Sequence, residues 1–313
     1  MTTDIPFAPG SVSLGHYVHD FLPPHDIVST FVDHAVLAVR SGFDGVTVSE
    51  HHAGYPTYLP NPLQATGWML DAMPRGWAGA FPLLLPLRPP GVVVQELAWL
   101  HARHPGRVTA GFAAGYVQRD FDACGVPFAD RNSRFRSSLD FVAAELSGPS
   151  ERFTGDRVVE AAAAARIPML VAAKGPQAVA RAATLGFGLS VPLHDPAELA
   201  AVHEQYIAAG GTGPRVLMRW VWLGDPPESA IRSWEEAHTT SIDGGKRTEA
   251  MRVASAPDPH QLAAQVVEEM RAGGSTALSI RVHLPSVGPA RAAEQIEAIG
   301  GEVVPIIRAM LAS

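Results

Sequence analysis

Cysteine is nearly missing from this chain: Cys124 is the single one in 313 residues. One thiol excludes a disulfide framework and a multi-thiolate zinc site, and it fits a reducing, cytoplasmic setting. Lysine is scarce and no basic tract occurs; 24 Lys and Arg stand against 31 Asp and Glu, a formal net charge of -7, which argues against a nucleic-acid partner. Apolar runs long enough to cross a bilayer are lacking. The opening MTTDIPFAPG has no basic region followed by an apolar core, so neither a membrane association nor a secretory signal is expected. Repeats, heptads and low-complexity tails are absent as well. The abundance of Ala, Gly and Pro reflects base composition and carries no functional information.

What is present is a hydrophobic content of 47% with 18% charged residues, enough for a large core. Apolar runs of strand length alternate with segments of helical period, the pattern of a parallel sheet joined by crossover helices. Eight strands are expected: Ser11 to Val18, Phe43 to Ser49, Trp77 to Leu85, Arg107 to Ala113, Pro168 to Ala173, Phe187 to Val191, Arg215 to Leu223 and Thr276 to Leu284. Each is apolar nearly throughout, so both faces are covered, and eight such units point to a closed (β/α)8 TIM barrel. Residues 1–313 read as a single domain of this kind. Between the strands, DIVSTFVDHAVLAVRSG places Gly42 where a helix C-cap belongs. Two stretches break the rhythm: Ser147 to Ile167, read as irregular, and the polar Thr239 to Pro257, read as an excursion at the barrel rim.

Chemistry in such a barrel is built at the carboxyl ends of the strands. The first strand ends near His16, Tyr17 and His19, and the second delivers Glu50, His51 and His52. Adjacent strand residues point to opposite faces, which weakens a His51–His52 chelate; strand cap, core histidine and acid/base roles all remain readings of the pair. Phe81-Pro82 puts a proline inside a strand, which requires a bulge or a cis bond. AAKGPQAVA offers a glycine turn at a helix start beside Lys174, an anion site by its dipole and free N–H groups, although the same pattern makes an ordinary βα turn. Cys124 has no local activator, which favours packing. Arg219 and Arg281 are expected to point into the barrel mouth, since a buried unpaired guanidinium is costly. Trp220 and Trp222 either line a pocket or pack the barrel.

Five blocks in order resemble the bacterial luciferase-like, flavin-dependent monooxygenases: GFDGVTVSEHH, NPLQATGWMLDAM, the long segment from WAGAFPLLLPLRPP to DFDACGV, RIPMLVAAKGPQAVARAATLGFG and IEAIGGEVVPIIRAM. The resemblance spans nearly the whole chain and implies a (β/α)8 barrel that oxygenates with reduced flavin. It implies that His51 is the catalytic base beside the flavin, with Glu50 in support. Phe81 and Pro82 match a cis peptide under the isoalloxazine ring. Gly175, Pro176, Gln177 and Ala178 match the turn that binds the FMN phosphate, and Ser190 matches a position near the flavin edge. The end of the fourth strand, Ala113 and Ala114, also faces the cofactor. Where luciferase has an arginine after strand four and a glutamate opening the phosphate turn, this chain has Ala114 and Lys174; Lys174 then supplies the charge on the phosphate. The luciferase mobile loop is shortened to the Thr239 to Pro257 excursion, which speaks against bioluminescence.

The implied activity is a two-component FMN monooxygenase acting on a small organic substrate with oxygen, with no metal. No GxGxxG fingerprint lies between a strand and a helix, so reduced flavin is expected from a separate reductase. A homodimer is the family habit. Three alternatives stand beside this reading: hydride transfer with the 8-hydroxy-5-deazaflavin coenzyme on the same barrel, a metal-dependent hydrolase using His16, His51 and His283, and a flavin-binding protein without catalysis.

Overall fold

The computed structural model describes residues 5–191, 195–241 and 252–313. In chain order the elements are β1 (Val12–His16), α1 (Pro24–Ser41), β2 (Gly45–Val48), α2 (Pro62–Ala72), β3 (Trp77–Leu84), α3 (Pro90–Arg103) and β4 (Val108–Ala113). There follow α4 (Gln118–Ala123), α5 (Arg131–Leu146), α6 (Arg157–Ala165), β5 (Met169–Ala172), α7 (Pro176–Thr184), β6 (Gly188–Ser190) and α8 (Pro196–Ala208). The chain closes with β7 (Arg215–Leu223), α9 (Glu228–Ser241), β8 (Val253–Ala256), α10 (Pro259–Ala272), β9 (Ala277–Arg281), α11 (Pro289–Ala298) and α12 (Val304–Ala312). Helix starts follow local chemistry: Asn61, Asp156, Asp195 and Asp258 accept from backbone N–H groups of the first turn, and proline occupies the first turn of α1, α2, α3, α7, α8 and α10.

All strand pairings are parallel, running β6-β5-β4-β3-β2-β1-β9-β7 and returning through β6–β7 to close an eight-stranded barrel. The expected eight strands are these eight, with β7 at its expected bounds and the others trimmed by one to three residues at an end. The sequence pattern does not announce the ninth strand. Trp220 pairs with Arg281 of β9 and with Val253 of β8, so β8 lies on the opposite edge of β7 from β9. It continues the edge that the three-residue β6 leaves after Val216. This strand occupies the described end of the expected rim excursion; residues 242–251 of that excursion lie outside the described residues. The irregular reading of Ser147 to Ile167 is corrected too, because α6 forms there. Asp156 caps the Val158 and Val159 N–H groups, and the alanine run that follows has high helix propensity.

Alternation along the strands separates two cores. Val12, Leu14, Val46, Val48, Ala78, Ala80, Leu278 and Ile280 face outward against the helices in the large cluster. Phe7, Trp77, Phe81, Leu170, Val216 and Ala277 fill the barrel interior. Space for the rings comes from missing Cβ atoms: one on Gly45 would lie 2.2 Å from Trp77 Cδ2, and one on Gly111 would lie 1.8 Å from Phe81 Cδ2. The expected strand proline is accommodated by both devices at once, a cis Phe81-Pro82 bond and a register shift between Ala80 and Leu83 against β4.

Outside the barrel, α8 is tied to the end of α10 by His203, whose Nδ1–H donates to the Gly273 carbonyl at 2.7 Å. Its Nε2 is buried without a partner among the described residues. Burial lowers the His203 pKa below its ordinary value, with Arg215 adding to the effect and the Gly273 bond opposing it. A lowered folded-state pKa means the unfolded chain binds more protons below about pH 6.5, so stability present above that pH is lost as pH falls toward the folded-state pKa. His203→Gln is expected to flatten this acid slope by up to about 1.4 kcal/mol per pH unit. Urea unfolding of both proteins at roughly pH 7.5, 6.5 and 5.5 checks it; parallel slopes would show that His203 does not contribute.

Candidate functional site

Past Val48 the second strand has ended, and the backbone turns through Glu50, His51 and His52 while still anchored: Glu50 N–H donates to the Pro82 carbonyl at 3.1 Å and His51 N–H to the Leu59 carbonyl at 3.3 Å. His51 is buried, and its Nδ1 lies 2.6 Å from Oδ2 of Asp120, which is fully buried on α4. A carboxylate only accepts, so Nδ1 carries a proton and donates it. The other Asp120 oxygen accepts from the His52 N–H at 2.8 Å. With Nδ1 committed, Nε2 is the imidazole nitrogen left to exchange a proton, and it has no hydrogen-bond partner among the described residues. Asp120 is the residue of this candidate site that the sequence did not single out.

Glu50 is also buried, and its carboxylate is fully engaged. Oε1 accepts from Arg88 at 2.6 Å and from His52 Nε2 at 2.9 Å, while Oε2 accepts from the Leu84 N–H at 2.6 Å. Its place is therefore a brace between β2 and the end of β3, both oxygens accepting from neighbours on the chain. His52 Nδ1 faces Cys124 Sγ at 3.6 Å. This is the neighbour that the sequence did not reveal for Cys124, yet desolvation, reinforced by Glu50, pushes the thiol pKa up, which is the opposite of activation.

An aromatic wall runs from His51 across the barrel mouth. The His51 ring stacks on Tyr55 at 4.1 Å and meets Tyr58 edge-on at 4.6 Å. Tyr58 meets Tyr17 edge-on at 5.0 Å, and Tyr17 stacks on Trp220 at 5.5 Å. Burial, with Tyr17 nearby, raises the Tyr58 pKa well above its ordinary value, so its hydroxyl stays protonated. Arg281 closes the wall, its guanidinium 5.5 Å from the Tyr17 ring and 5.7 Å from the Trp220 ring. Its Nη2 donates to Met218 Sδ at 3.2 Å, and no carboxylate pairs with it among the described residues. Arg219, expected beside it in the mouth, points the other way. It is buried and donates to Glu269 of α10 at 2.5 Å, because Leu217 and Val221, two residues either side, face the outer core. Trp222 packs instead against the last helices, under Arg291.

The family model for the luciferase-like monooxygenases matches residues 19–299. The chain belongs to that family. Its fold is that of monooxygenase RslO1 from Streptomyces bottropensis, with a TM-score of 0.75 at 16% identity over 94% of this chain and 99% of the other. It is also that of the oxygenating constituent of 3,6-diketocamphane monooxygenase from Pseudomonas putida, solved with FMN, with a TM-score of 0.71 at 17% identity over 96% and 99%. A curated relative, the F420-dependent glucose-6-phosphate dehydrogenase of Beutenbergia cavernae, is 34% identical over 182 residues, covering 53% of this chain and 52% of the relative. The chain thus spans about half the length of the curated relatives it matches.

Within this luciferase-like barrel the other expected residues are dispersed around the mouth. Phe81 is buried with its ring in the interior, and its carbonyl accepts from Ser49 Oγ at 2.9 Å. Ala113 and Ala114 are half-buried at the end of β4. Ser190 is buried on β6 with Oγ donating to the Val216 carbonyl at 3.3 Å. Lys174, Gly175, Pro176 and Gln177 are exposed, and Ala178 is half-buried. Gly175 is the N-cap of α7, no side chain caps that helix, and a Cβ at Gly175 would meet nothing within 4 Å. An uncapped helix start in open space beside one cation fits a flavin phosphate.

The histidine set of the metal-hydrolase alternative does not converge. His16 faces outward from β1, its ring stacked on Phe31 at 4.3 Å and its Nε2–H donating to the Phe31 carbonyl at 2.8 Å. His283 lies 4.6 Å from it, ring to ring, whereas His51 belongs to the tyrosine wall. Strand parity is the reason: His16 follows Leu14 onto the helix-facing side.

Proposed function

We propose that this chain is a flavin-dependent monooxygenase that uses reduced FMN and oxygen on a small carbonyl-bearing or anionic organic substrate. The observation that carries the reading is the buried His51–Asp120 pair at the mouth. When bound, reduced FMN supplies the electrons by which oxygen is split between product and water. The chain's own residues orient, protonate and exclude water. Asp120 holds the His51 imidazole with Nε2 free, so that nitrogen accepts and returns the proton. The protonated Tyr58 hydroxyl is a donor in the same wall. Arg281, lacking a carboxylate partner among the described residues, offers a positive charge to a substrate carbonyl or carboxylate. Gly175 to Ala178 and Lys174 anchor the phosphate. The proposal includes a separate flavin reductase, because the sequence holds no dinucleotide fingerprint.

A second reading, hydride transfer with the F420 deazaflavin coenzyme, is favoured by the 34% identity to a dehydrogenase that uses it; in it His51 would take the proton of a substrate hydroxyl. Absorbance titration of the purified protein with oxidised FMN, with reduced FMN under anaerobic conditions, and with F420 separates the two. Saturable binding of reduced FMN, weakened roughly tenfold by Lys174→Ala through loss of one charge-assisted contact, is the expected result. A tight F420 complex in a protein that ignores FMN would instead establish the second reading.

A further inference from the structure

His19, His34 and His283 come from three separate elements: the segment after β1, the middle of α1, and the segment after β9. All three are more than nine-tenths buried, with 5%, 6% and 3% of their surface exposed. One ligand nitrogen from each lies within 4.8 Å of the others. The rings form a nearly equilateral triangle, with centroids 5.4 Å apart for His19–His34, 5.4 Å for His19–His283 and 5.6 Å for His34–His283.

We propose that His19, His34 and His283 form a binding site for one divalent transition-metal ion of the zinc type, with a fourth position left open.

Three observations carry this. The first is distance: His34 Nδ1 and His283 Nε2 are 3.4 Å apart. That is long for a hydrogen bond, but two imidazole nitrogens at about 2.05 Å from a tetrahedral zinc stand about 3.3 Å apart, and their ring centroids about 5.2 Å apart. The observed triangle has that size. The second is unmet polarity: His19 Nε2 is a buried nitrogen with no partner among the described residues, which is costly unless something occupies the space between the rings. His19 is oriented by a hydrogen bond to the Val287 backbone, the outer-shell arrangement that fixes a ligating imidazole. His16 packs beside the cluster, its ring 4.6 Å from His283 and its Nε2–H tied to the Phe31 carbonyl. The third is chemistry. An all-imidazole donor set suits zinc, nickel, copper or cobalt and not magnesium or calcium.

The site stands behind the barrel wall, apart from the His51–Asp120 pair, and does not depend on which cofactor the mouth takes. β1 and β9 pair with each other, so an ion here would pin the first and last barrel strands to α1 and brace the closure. Untagged protein, stripped with a chelator and dialysed, is titrated with zinc chloride by calorimetry and with cobalt chloride by ligand-field absorbance. The expected result is one equivalent bound at micromolar affinity or tighter, a tetrahedral cobalt spectrum, and a rise in Tm with zinc. His19→Gln, His34→Gln and His283→Gln each weaken binding at least tenfold, whereas exposed His25→Gln leaves it unchanged. Circular dichroism shows which variants remain folded, and His19→Gln, outside every helix and strand, is the variant least coupled to folding. Absence of binding by the wild-type protein at millimolar zinc, or binding undiminished in the folded variants, overturns the proposal.

Discussion

His51→Gln is expected to lower turnover by roughly 10²–10⁴-fold, the usual contribution of one positioned acid/base group. Product formed from a panel of small ketones and aldehydes, with reduced FMN and oxygen, is the measurement. Cofactor affinity should change little, because the proposed phosphate turn opens α7 after β5, three strands round the barrel from β2, whose end carries the imidazole. The sharper test is Asp120→Asn. The substituted amide keeps an oxygen for the His52 N–H, but places an NH2 group opposite His51 Nδ1, which must then accept. The proton moves to Nε2, and the nitrogen that should accept from the reacting groups now carries a hydrogen. Asp120→Asn is therefore expected to fold normally and to lose nearly as much activity as His51→Gln. The double variant should be hardly worse than either single one, because the two residues act as one unit. Full activity in Asp120→Asn would remove the pair from the mechanism.

The largest stability effect is expected at Glu50. Its carboxylate accepts from Arg88, His52 and the Leu84 N–H in a fully buried setting. Glu50→Ala strands a half-buried guanidinium and an unsatisfied backbone N–H together, and breaking a buried pair by removing one partner costs about 3–5 kcal/mol. Glu50→Gln retains an acceptor for the Leu84 N–H but turns an NH2 group toward Arg88 and His52, where an oxygen had accepted, so it should cost less than Glu50→Ala and still a substantial part of it. Urea unfolding at neutral pH orders the three proteins. If Glu50→Ala were as stable as the parent, the buried network would be energetically idle. Because Leu84 ends the strand that carries Phe81 and Pro82, Glu50→Ala should also weaken cofactor binding, whereas a loss confined to stability would separate brace from site.

How far the sequence reaches depends on whether a signal is local. The Gly42 cap, the proline at Pro82 and the Gly175–Pro176 helix start are each encoded within a few residues, and each is found where expected. Asp120 is 69 positions from His51; nothing in QRDFDA marks one of its two aspartates, and the tertiary fold alone brings it to the imidazole. Arg219 and Arg281 are inseparable in sequence for a different reason. In RVLMRWVWL both faces of the strand are apolar, since a barrel strand is covered on both sides, so alternation cannot be read from composition. The short VASA strand is invisible because its Ala and Ser residues give no β signal. The histidine cluster is half legible: His16, His19 and His283 fall at strand ends, but His34 looks like one polar residue in a helix.

The Phe81 ring, laid over Gly111 and edge-on to Phe7, which itself packs on Trp77, would bear on which molecules the protein accepts. A side chain wedged across the barrel at that height would make the cup shallow, so that on the proposed function a long substrate would lie along the rim rather than thread downward. Chain-length preference would then be written in the connecting loops, and exchanging those loops should retune it without disturbing the strands.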